Sequence, residues 1–274
     1  MMFEQRRYRT TRASAIGQLE LIYHSVVRDI RKGSGHALLG LLTNILQTVI
    51  FVGVFYVMMT LTPLRTIAVR GDFLLYIMSG VSMYLLHIKT IGAVAGALPA
   101  TSAMMQHAPM NTIVAIASSA ISALYIQVLS MVVVLYIYHA AFVPITIDDP
   151  VGAIGMVLLA WFSGVAIGML FRAATPWAPG FINLVKLLYI RANMIASGKM
   201  FLANTLPGFM LPFFTWNPLF HTIDQTRGFV FLNYNPHYSN IAYPFFLSLT
   251  LIMIGLMGEF YTRKHASMSW GAGR

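Results

Sequence analysis

The sequence predicts an all-α, polytopic membrane protein with six transmembrane helices. Hydrophobic residues make up 58% of the 274 positions and charged residues 9%, whereas an ordinary soluble domain has about 25% charged residues. The mean hydropathy is +0.71. The apolar residues also form long runs without Asp, Glu, Lys or Arg, which a preference for a large core does not produce. Lipid is therefore the expected solvent for most of the chain.

The residues before the first apolar run carry much of the positive charge. Residues 1–12 hold four arginines without apolar periodicity, which is typical of a disordered basic segment. Residues 14–31 repeat apolar side chains every three or four positions, so they predict an amphipathic helix on the inner membrane surface. A plain membrane anchor is the alternative for this helix. No cleavable signal is predicted, because the first thirty residues lack a continuous apolar segment.

Six charge-poor segments predict the spans of a hydrocarbon core of about 30 Å. They cover residues 36–64, 73–88, 111–138, 151–171, 181–202 and 243–260. The second reaches the required length if its helix continues past Lys89, whose ammonium can extend to the inner surface. Residues 92–110 are small, weakly hydrophobic and interrupted by Gly and Pro, so they predict an inner loop that holds a short helix.

The distribution of Lys and Arg predicts that both termini lie in the cytoplasm. Twelve of the eighteen fall on the predicted inner side and three on the outer side. The other three, Lys186, Arg191 and Lys199, lie in or beside the fifth span. The predicted organisation is a cytoplasmic segment with the interface helix (1–35), a six-helix transmembrane domain (36–262) and a cytoplasmic tail (263–274).

Composition and spacing argue against several kinds of site. The net charge of +10 is not gathered on one basic, aromatic-rich face, so nucleic acid is not a predicted partner. The chain has no cysteine and no histidine pair at ligand spacing, so no metal site is predicted. The sequence lacks G-x-x-x-x-G-K-[ST], so no ATPase is expected within it.

The segment between the fifth and sixth spans, residues 203–240, contains four prolines and two apolar pieces. Each piece is too short to cross, so the pieces predict short re-entrant helices that enter the outer leaflet and turn back. The alternative is an ordinary outer loop rich in interfacial aromatic residues. Asn217 before Pro218 favours a turn, and Pro218 can begin a helix.

These elements occur in a recognisable order. An amphipathic helix precedes six spans, an inner loop follows span two, and the NPL element at 217–219 is followed by Arg227 and by Tyr-x-Pro at 234–236. The order resembles that of the ABC-2 type exporter permeases over nearly the whole chain. The length, the absence of extra domains and the run SGKMFLANTLPGFM most resemble the capsular-polysaccharide and O-antigen export permeases. The chain departs from commoner members in having Lys186 and Arg191 within span five.

The resemblance implies the permease subunit of an ATP-driven exporter that moves a lipid-linked polysaccharide across a bacterial inner membrane. Such a permease acts as a dimer with two separate nucleotide-binding ATPase subunits, which hold ATP and Mg²⁺. No cofactor is therefore expected in this chain, and periplasmic export proteins stay open as further partners. Other exported amphiphiles, of the drug, lipid or teichoic-acid type, are the nearest alternative substrates.

The resemblance also implies which residues contact partners and substrate. The expected ATPase contacts are His24, Arg28, Arg31, Pro99, Met104, Gln106 and His107. The expected substrate pathway contains Arg191, Lys186, Tyr189, Tyr84 and Tyr125. The expected re-entrant element contains Asn217, Pro218, Leu219, Asp224 and Arg227. For the tyrosines, helix packing or an interfacial belt is the alternative.

Arg191 is the most informative of the intramembrane charges. A charge at the centre of a span costs about 2.5–3.5 kcal/mol on insertion scales. If residue 181 lies at the inner surface, Arg191 lies about 15 Å into the span at 1.5 Å per residue. We expect it to face the conduit and meet phosphate or acidic sugars of the glycan. The alternative is a structural pairing with Glu259 or with a carbonyl.

Two other classes of protein compete with an exporter. A membrane glycosyl- or acyltransferase needs positioned acids, bases or metal ligands, and the only close acidic pair is Asp148 and Asp149 in a predicted outer loop. A secondary transporter usually has internal repeats and acidic residues within spans, and no internal repeat is found in the sequence. Both classes are less favoured than a permease.

Overall fold

The computed structural model describes residues 11–32, 37–61, 72–97 and 112–265. Within these ranges the protein consists of α-helices, two single-turn 3₁₀ helices and loops, with no strand. The α-helices are α1 (Thr11–Lys32), α2 (Ala37–Leu61), α3 (Phe73–Ala95), α4 (Thr112–Ala141), α5 (Pro150–Ala174), α6 (Pro179–Ala196), α7 (Pro218–Val230) and α8 (Ala242–His265). The all-α prediction is confirmed.

Five of the described helices are long and apolar enough to cross a membrane. These segments are Leu39–Leu61, Phe73–Ala95, Thr112–Ala141, Pro150–Ala174 and Ala242–Thr262. They lie in α2, α3, α4, α5 and α8 and correspond to the predicted spans one to four and six. α6 corresponds to the predicted fifth span, but it has only 18 residues, includes Lys186 and Arg191, and is not among the five.

Side-chain caps fix where three of the helices begin. Asp72 accepts hydrogen bonds from the amides of Leu74 and Leu75 at the start of α3. Asp149 caps α5 in the same way, and Asn217 caps α7; each of these two helices begins with a proline. Proline suits the first helical position because the N–H that it lacks has no partner there.

α5 is the central helix, packed against α3, α7 and α8. Small residues allow these close approaches. A Cβ at Gly164 would lie 2.9 Å from the His87 carbonyl oxygen, and one at Gly255 would lie 2.9 Å from Met169 Cβ. α3 is the most enclosed of these five helices: 78% of its most apolar 18-residue stretch is buried, against 17% for α2 and for α8. The outer faces of α2 and α8 are therefore available to lipid or to another chain.

The bundle has two distinguishable ends. At the end named here the Asp72 end, Asp72 accepts a hydrogen bond from the hydroxyl of Tyr138, near the end of α4. At the opposite end, named the α1 end, α1 packs against the first half of α4. There Arg172 near the end of α5 donates to the Ala97 carbonyl at 2.6 Å and to Glu259 of α8 at 3.3 Å. α1 and the C-terminal part of α8 thus reach the same end.

The fifth predicted helix ends earlier than the sequence indicates. The prediction continues it to residue 202, whereas α6 ends at Ala196 and is followed by Gly198 with φ +72°. Glycine adopts this left-handed conformation without the steric cost that a Cβ imposes. The chain then runs irregularly, apart from the two 3₁₀ turns Ala203–Thr205 and Leu211–Phe213, until α7 begins at Pro218 as predicted.

Candidate functional site

The five residues of the predicted re-entrant element all lie in or next to α7, and all are buried. They are Asn217, Pro218, Leu219, Asp224 and Arg227. Asn217 joins α7 to α6: its Oδ1 accepts from the Leu219 amide at 3.0 Å, and its Nδ2 donates to Asn193 Oδ1 at 2.8 Å and to the Ala196 carbonyl at 2.9 Å. The start of α7 is therefore held against the end of α6.

Arg227 holds the segment between α6 and α7, residues 197–217, which is named here the connector. Its guanidinium is fully buried and donates to the carbonyl oxygens of Gly198 at 2.9 Å, Lys199 at 2.7 Å and Phe201 at 2.7 Å. It also lies over the Tyr76 ring, 4.1 Å from its centroid. Among the described residues no carboxylate forms an ion pair with it. Three carbonyl dipoles and an aromatic face thus replace a counter-charge.

Asp224 ties together the segments before and after α7. Its Oδ1 accepts from the Tyr234 hydroxyl at 2.5 Å and from the Ala203 amide at 3.4 Å, and its Oδ2 accepts from Ser239 Oγ at 2.7 Å. Burial is the main cause that raises the pKa of Tyr234, and the negative charge of Asp224 raises it further. Tyr234 therefore stays a neutral donor to Asp224.

His221 forms a second link from α7 to the residues that precede α8. Its Nδ1 accepts from the Asn240 amide at 3.0 Å, so the ring proton lies on Nε2, which donates to the Thr215 carbonyl at 2.7 Å. Burial lowers the pKa of His221, while the carbonyl bond and the field of Asp224 raise it by less. The neutral ring can therefore accept the hydrogen bond from the Asn240 amide and donate to the Thr215 carbonyl at the same time.

Lys199 lies in or beside the fifth predicted span, and the structure shows that this cation is buried. Its side chain is 2% exposed, and Nζ lies 3.5 Å from the Tyr84 ring centroid and 4.8 Å from that of Phe55. Nζ has no hydrogen-bond partner in the described part of the chain. Burial lowers the pKa of this ammonium. Cation–π contacts are its compensation, at about 0.5–2 kcal/mol each.

The residues predicted to line the substrate pathway fall into two environments. Tyr84 is buried beneath Lys199, and its hydroxyl lies 3.4 Å from the Ile190 carbonyl. The hydroxyl of Tyr189 lies 3.3 Å from His87 Nε2. These contacts join α6 to the middle of α3. Tyr125 lies apart from them on the exposed face of α4.

α6 carries two cations, Lys186 and Arg191, which lie about 140° apart around the helix at 3.6 residues per turn. Asn193 is the only buried residue of this helix. Lys186 Nζ donates to Asn183 Oδ1 at 2.9 Å, and Arg191 is exposed. Glu259, the alternative partner predicted for Arg191, instead pairs with Arg172. The described residues therefore cover little of α6: Arg191 is exposed, Lys186 is half-buried, and apolar side chains such as Leu188 are exposed as well.

The predicted ATPase contacts are described only in part. His24 is exposed on α1, and Arg28 forms an ion pair with Asp29 at 3.1 Å. The Arg31 side chain lies outside the described part of the structure, as do Pro99, Met104, Gln106 and His107. The exposed side chains of α1 also include Leu19 and Tyr23.

No protein-family model and no curated protein matches the chain. The likeness to ABC-2 exporter permeases therefore stays a prediction from the order of its elements. In the described residues, no group of three or more His, Asp or Glu side chains is placed to hold a metal ion. The polar residues of α7 bind backbone groups and side chains of the neighbouring segments, so they act as a brace between α6, the connector and the residues that precede α8.

Proposed function

We propose that this protein is the membrane subunit of an ATP-driven exporter of the ABC-2 type, which moves a lipid-linked polysaccharide across a bacterial inner membrane. It acts as a dimer, and two separate ATPase subunits drive it. The observation that carries the proposal is that α6 holds two cations, Lys186 and Arg191, and is covered little by the described residues. Charged residues at membrane depth face a bundle interior or a water-filled cavity, because exposure to lipid costs several kcal/mol.

The position of Arg191 along α6 supports a conduit. Arg191 lies twelve residues after Pro179, or about 18 Å along α6 at 1.5 Å per residue. Its neighbour Tyr189 lies beside His87, well inside α3. A second copy that placed its own α6 opposite would enclose Lys186 and Arg191 in a polar passage. Phosphate and acidic sugars are the anions that such cations would meet.

In this proposal α6 is the fifth of six spans, and residues 203–240 form the re-entrant region. α6 is about 27 Å long at 1.5 Å per residue, close to the hydrocarbon thickness of about 30 Å. α7 packs against α3 and α5 near the Asp72 end, where Phe229 contacts Gly152. Its backbone groups and those of the connector are hydrogen-bonded within the protein, as re-entrant segments require.

Purification of the tagged chain from its native membranes tests the assembly. The expected result is an equimolar ATPase subunit with a Walker A sequence and a co-purifying lipid-linked glycan, both identified by mass spectrometry. Transferase or transport activity of the purified chain without any ATPase would contradict the proposal.

Substitution of Arg191 tests the conduit. Loss of one charge-assisted hydrogen bond, about 1.5–3 kcal/mol, should reduce export at least about tenfold in Arg191→Ala. Arg191→Lys keeps the charge and should retain part of the activity. Lys264→Ala, which removes an exposed cation at the end of α8, is the matched control. Export is measured at equal membrane abundance, and unchanged export in both Arg191 variants would refute the role.

A further inference from the structure

A cavity of about 360 Å³ lies among α1, α2, α3 and α4 toward the α1 end. Its polar lining includes Arg28, Asp29, Asn44, Lys89, Ser119 and Gln127. A water molecule occupies about 30 Å³ of liquid, so the cavity is an order of magnitude larger than a single structural water requires. None of the predicted roles uses this space as a binding site.

Lys89 supplies a cation to one wall of the cavity. It lies six residues before the end of α3, and its Nζ donates to the neutral amide oxygen Gln47 Oε1 at 2.6 Å. Among the described residues no carboxylate pairs with it. An ammonium has three donor hydrogens, so this bond leaves two for a ligand.

Arg28 supplies a second cation from the opposite wall, on α1. It pairs with Asp29 Oδ1 at 3.1 Å, while Asp29 Oδ2 accepts from Ser118 Oγ at 3.3 Å and from Ser119 Oγ at 3.4 Å. The lining therefore contains two cations and a single carboxylate. The field in the cavity favours an anion.

The remaining walls are neutral and fixed in shape. Gln127 Nε2 donates to Asn44 Oδ1 at 3.2 Å, and Asn44 Nδ2 donates to the Gly40 carbonyl at 2.7 Å, so these amides are occupied with protein groups. Ala93, Ala115 and Ala123 also line the cavity, and their small side chains leave its volume open.

The other well-enclosed cations of the bundle do not offer such a site. Arg172 is held by the Ala97 carbonyl and Glu259, Arg227 by three carbonyls, and Lys199 by two aromatic rings. Lys89 and Arg28 differ because both border a common space large enough for a ligand.

We propose that this cavity binds the phosphate group of an anionic membrane lipid. The cavity lies near the ends of the spans and beside an amphipathic helix, where headgroups are found and where basic side chains attract anionic lipid. Phosphate is the anion that Arg and Lys recognise together through charge-assisted hydrogen bonds. The lipid headgroup would tie α1 to the spans. The site uses no residue of α6 and is therefore separate from the proposed conduit, while Arg28 is also one of the predicted ATPase contacts.

Lipid binding to the purified full-length chain tests the site. Native mass spectrometry measures the dissociation constants of short-chain phosphatidylglycerol and phosphatidylcholine in detergent. We expect preference for phosphatidylglycerol, and a loss of its affinity of about tenfold or more in Lys89→Gln and in Arg28→Gln. Lys89→Arg should stay within about threefold of the wild type, because it keeps the charge. Lys264→Gln is the control with the same change of charge outside the cavity.

A steric variant separates binding from the charge change. Ala93→Leu keeps both cations and fills the cavity, so it should also weaken phosphatidylglycerol binding. Thermal unfolding of each variant establishes that it is folded, and the conclusion is drawn from folded variants. Equal binding of the two lipids, or wild-type affinity in Lys89→Gln, would overturn the site. Inorganic phosphate that binds as tightly as the lipid, with the same dependence on Lys89, would overturn the lipid assignment.

Discussion

Replacement of Arg227 by Met should destabilise the fold more than any exposed cation can. The change removes three hydrogen bonds from a charged donor, each worth about 1.5–3 kcal/mol net, and leaves buried carbonyls to find other partners. The change also removes the desolvation cost of the buried guanidinium, which offsets several kcal/mol of that loss. We therefore expect the free energy of unfolding to fall by about 3–5 kcal/mol, the part of the three hydrogen-bond contributions that the removed desolvation cost does not offset.

Equilibrium unfolding by urea in detergent measures this loss. Arg227→Lys keeps the charge but not the planar fork of donors, so its loss should be smaller and still above about 1 kcal/mol. Arg191→Met is the matched control, because it makes the same chemical change at an exposed position and should stay within about 0.5 kcal/mol. Equal effects of Arg227→Met and Arg191→Met would refute the bracing role of Arg227.

Two further predictions concern the same brace. Gly80→Ala should cost about 1–3 kcal/mol of unfolding free energy, because its Cβ would lie 2.9 Å from Arg227 Nη2 and 2.9 Å from the Lys199 carbonyl oxygen. Gly92→Ala, in the same helix with nothing within 4 Å, should be neutral or stabilising by about 0.4–1 kcal/mol in the same urea titration. Burial lowers the pKa of His221, so as the pH falls the unfolded state takes up this proton first. Stability should therefore decline below about pH 6.5, and His221→Asn should reduce that decline; an unchanged slope would contradict the assignment.

Hydropathy predicted the parts of the fold that depend on local composition. The charge-free runs correspond to α2, α3, α4, α5 and α8, and the amphipathic period of residues 14–31 corresponds to α1. These elements follow from sequence because a span must satisfy its own backbone hydrogen bonds and present apolar side chains to lipid. The start of α7 was predictable for a local reason too, the Asn-Pro pair that caps it.

The end of α6 and the environment of α7 depend on distant partners and were not predictable. The apolar residues Met200, Phe201 and Leu202 extended the predicted span to 202, but Arg227 binds carbonyls of Gly198, Lys199 and Phe201, 26 to 29 residues earlier in the chain. The sequence placed Arg227 among the cations of an outer loop, whereas its side chain is fully buried. No local pattern indicates which backbone groups will surround an arginine.

Arg172 shows the same limit at the α1 end. Its position after an apolar run predicted a solvated inner cation, yet it is 5% exposed and forms an ion pair with Glu259, 87 residues later. The same pairing bears on one of the alternatives predicted for Arg191, an ion pair with Glu259. Once Glu259 is engaged elsewhere, the exposed guanidinium of Arg191 forms no ion pair with a described carboxylate.

Exposure therefore separates the cations better than depth in the membrane does. Arg172, Lys199 and Arg227 are enclosed by carbonyls, a carboxylate or aromatic rings, so a passing substrate cannot reach them without unfolding part of the brace. Arg191 is exposed and Lys186 half-buried, so both can change partners without opening the brace. The proposed exporter would need contacts of that second kind, because a substrate held as firmly as the connector is held by Arg227 would not move on.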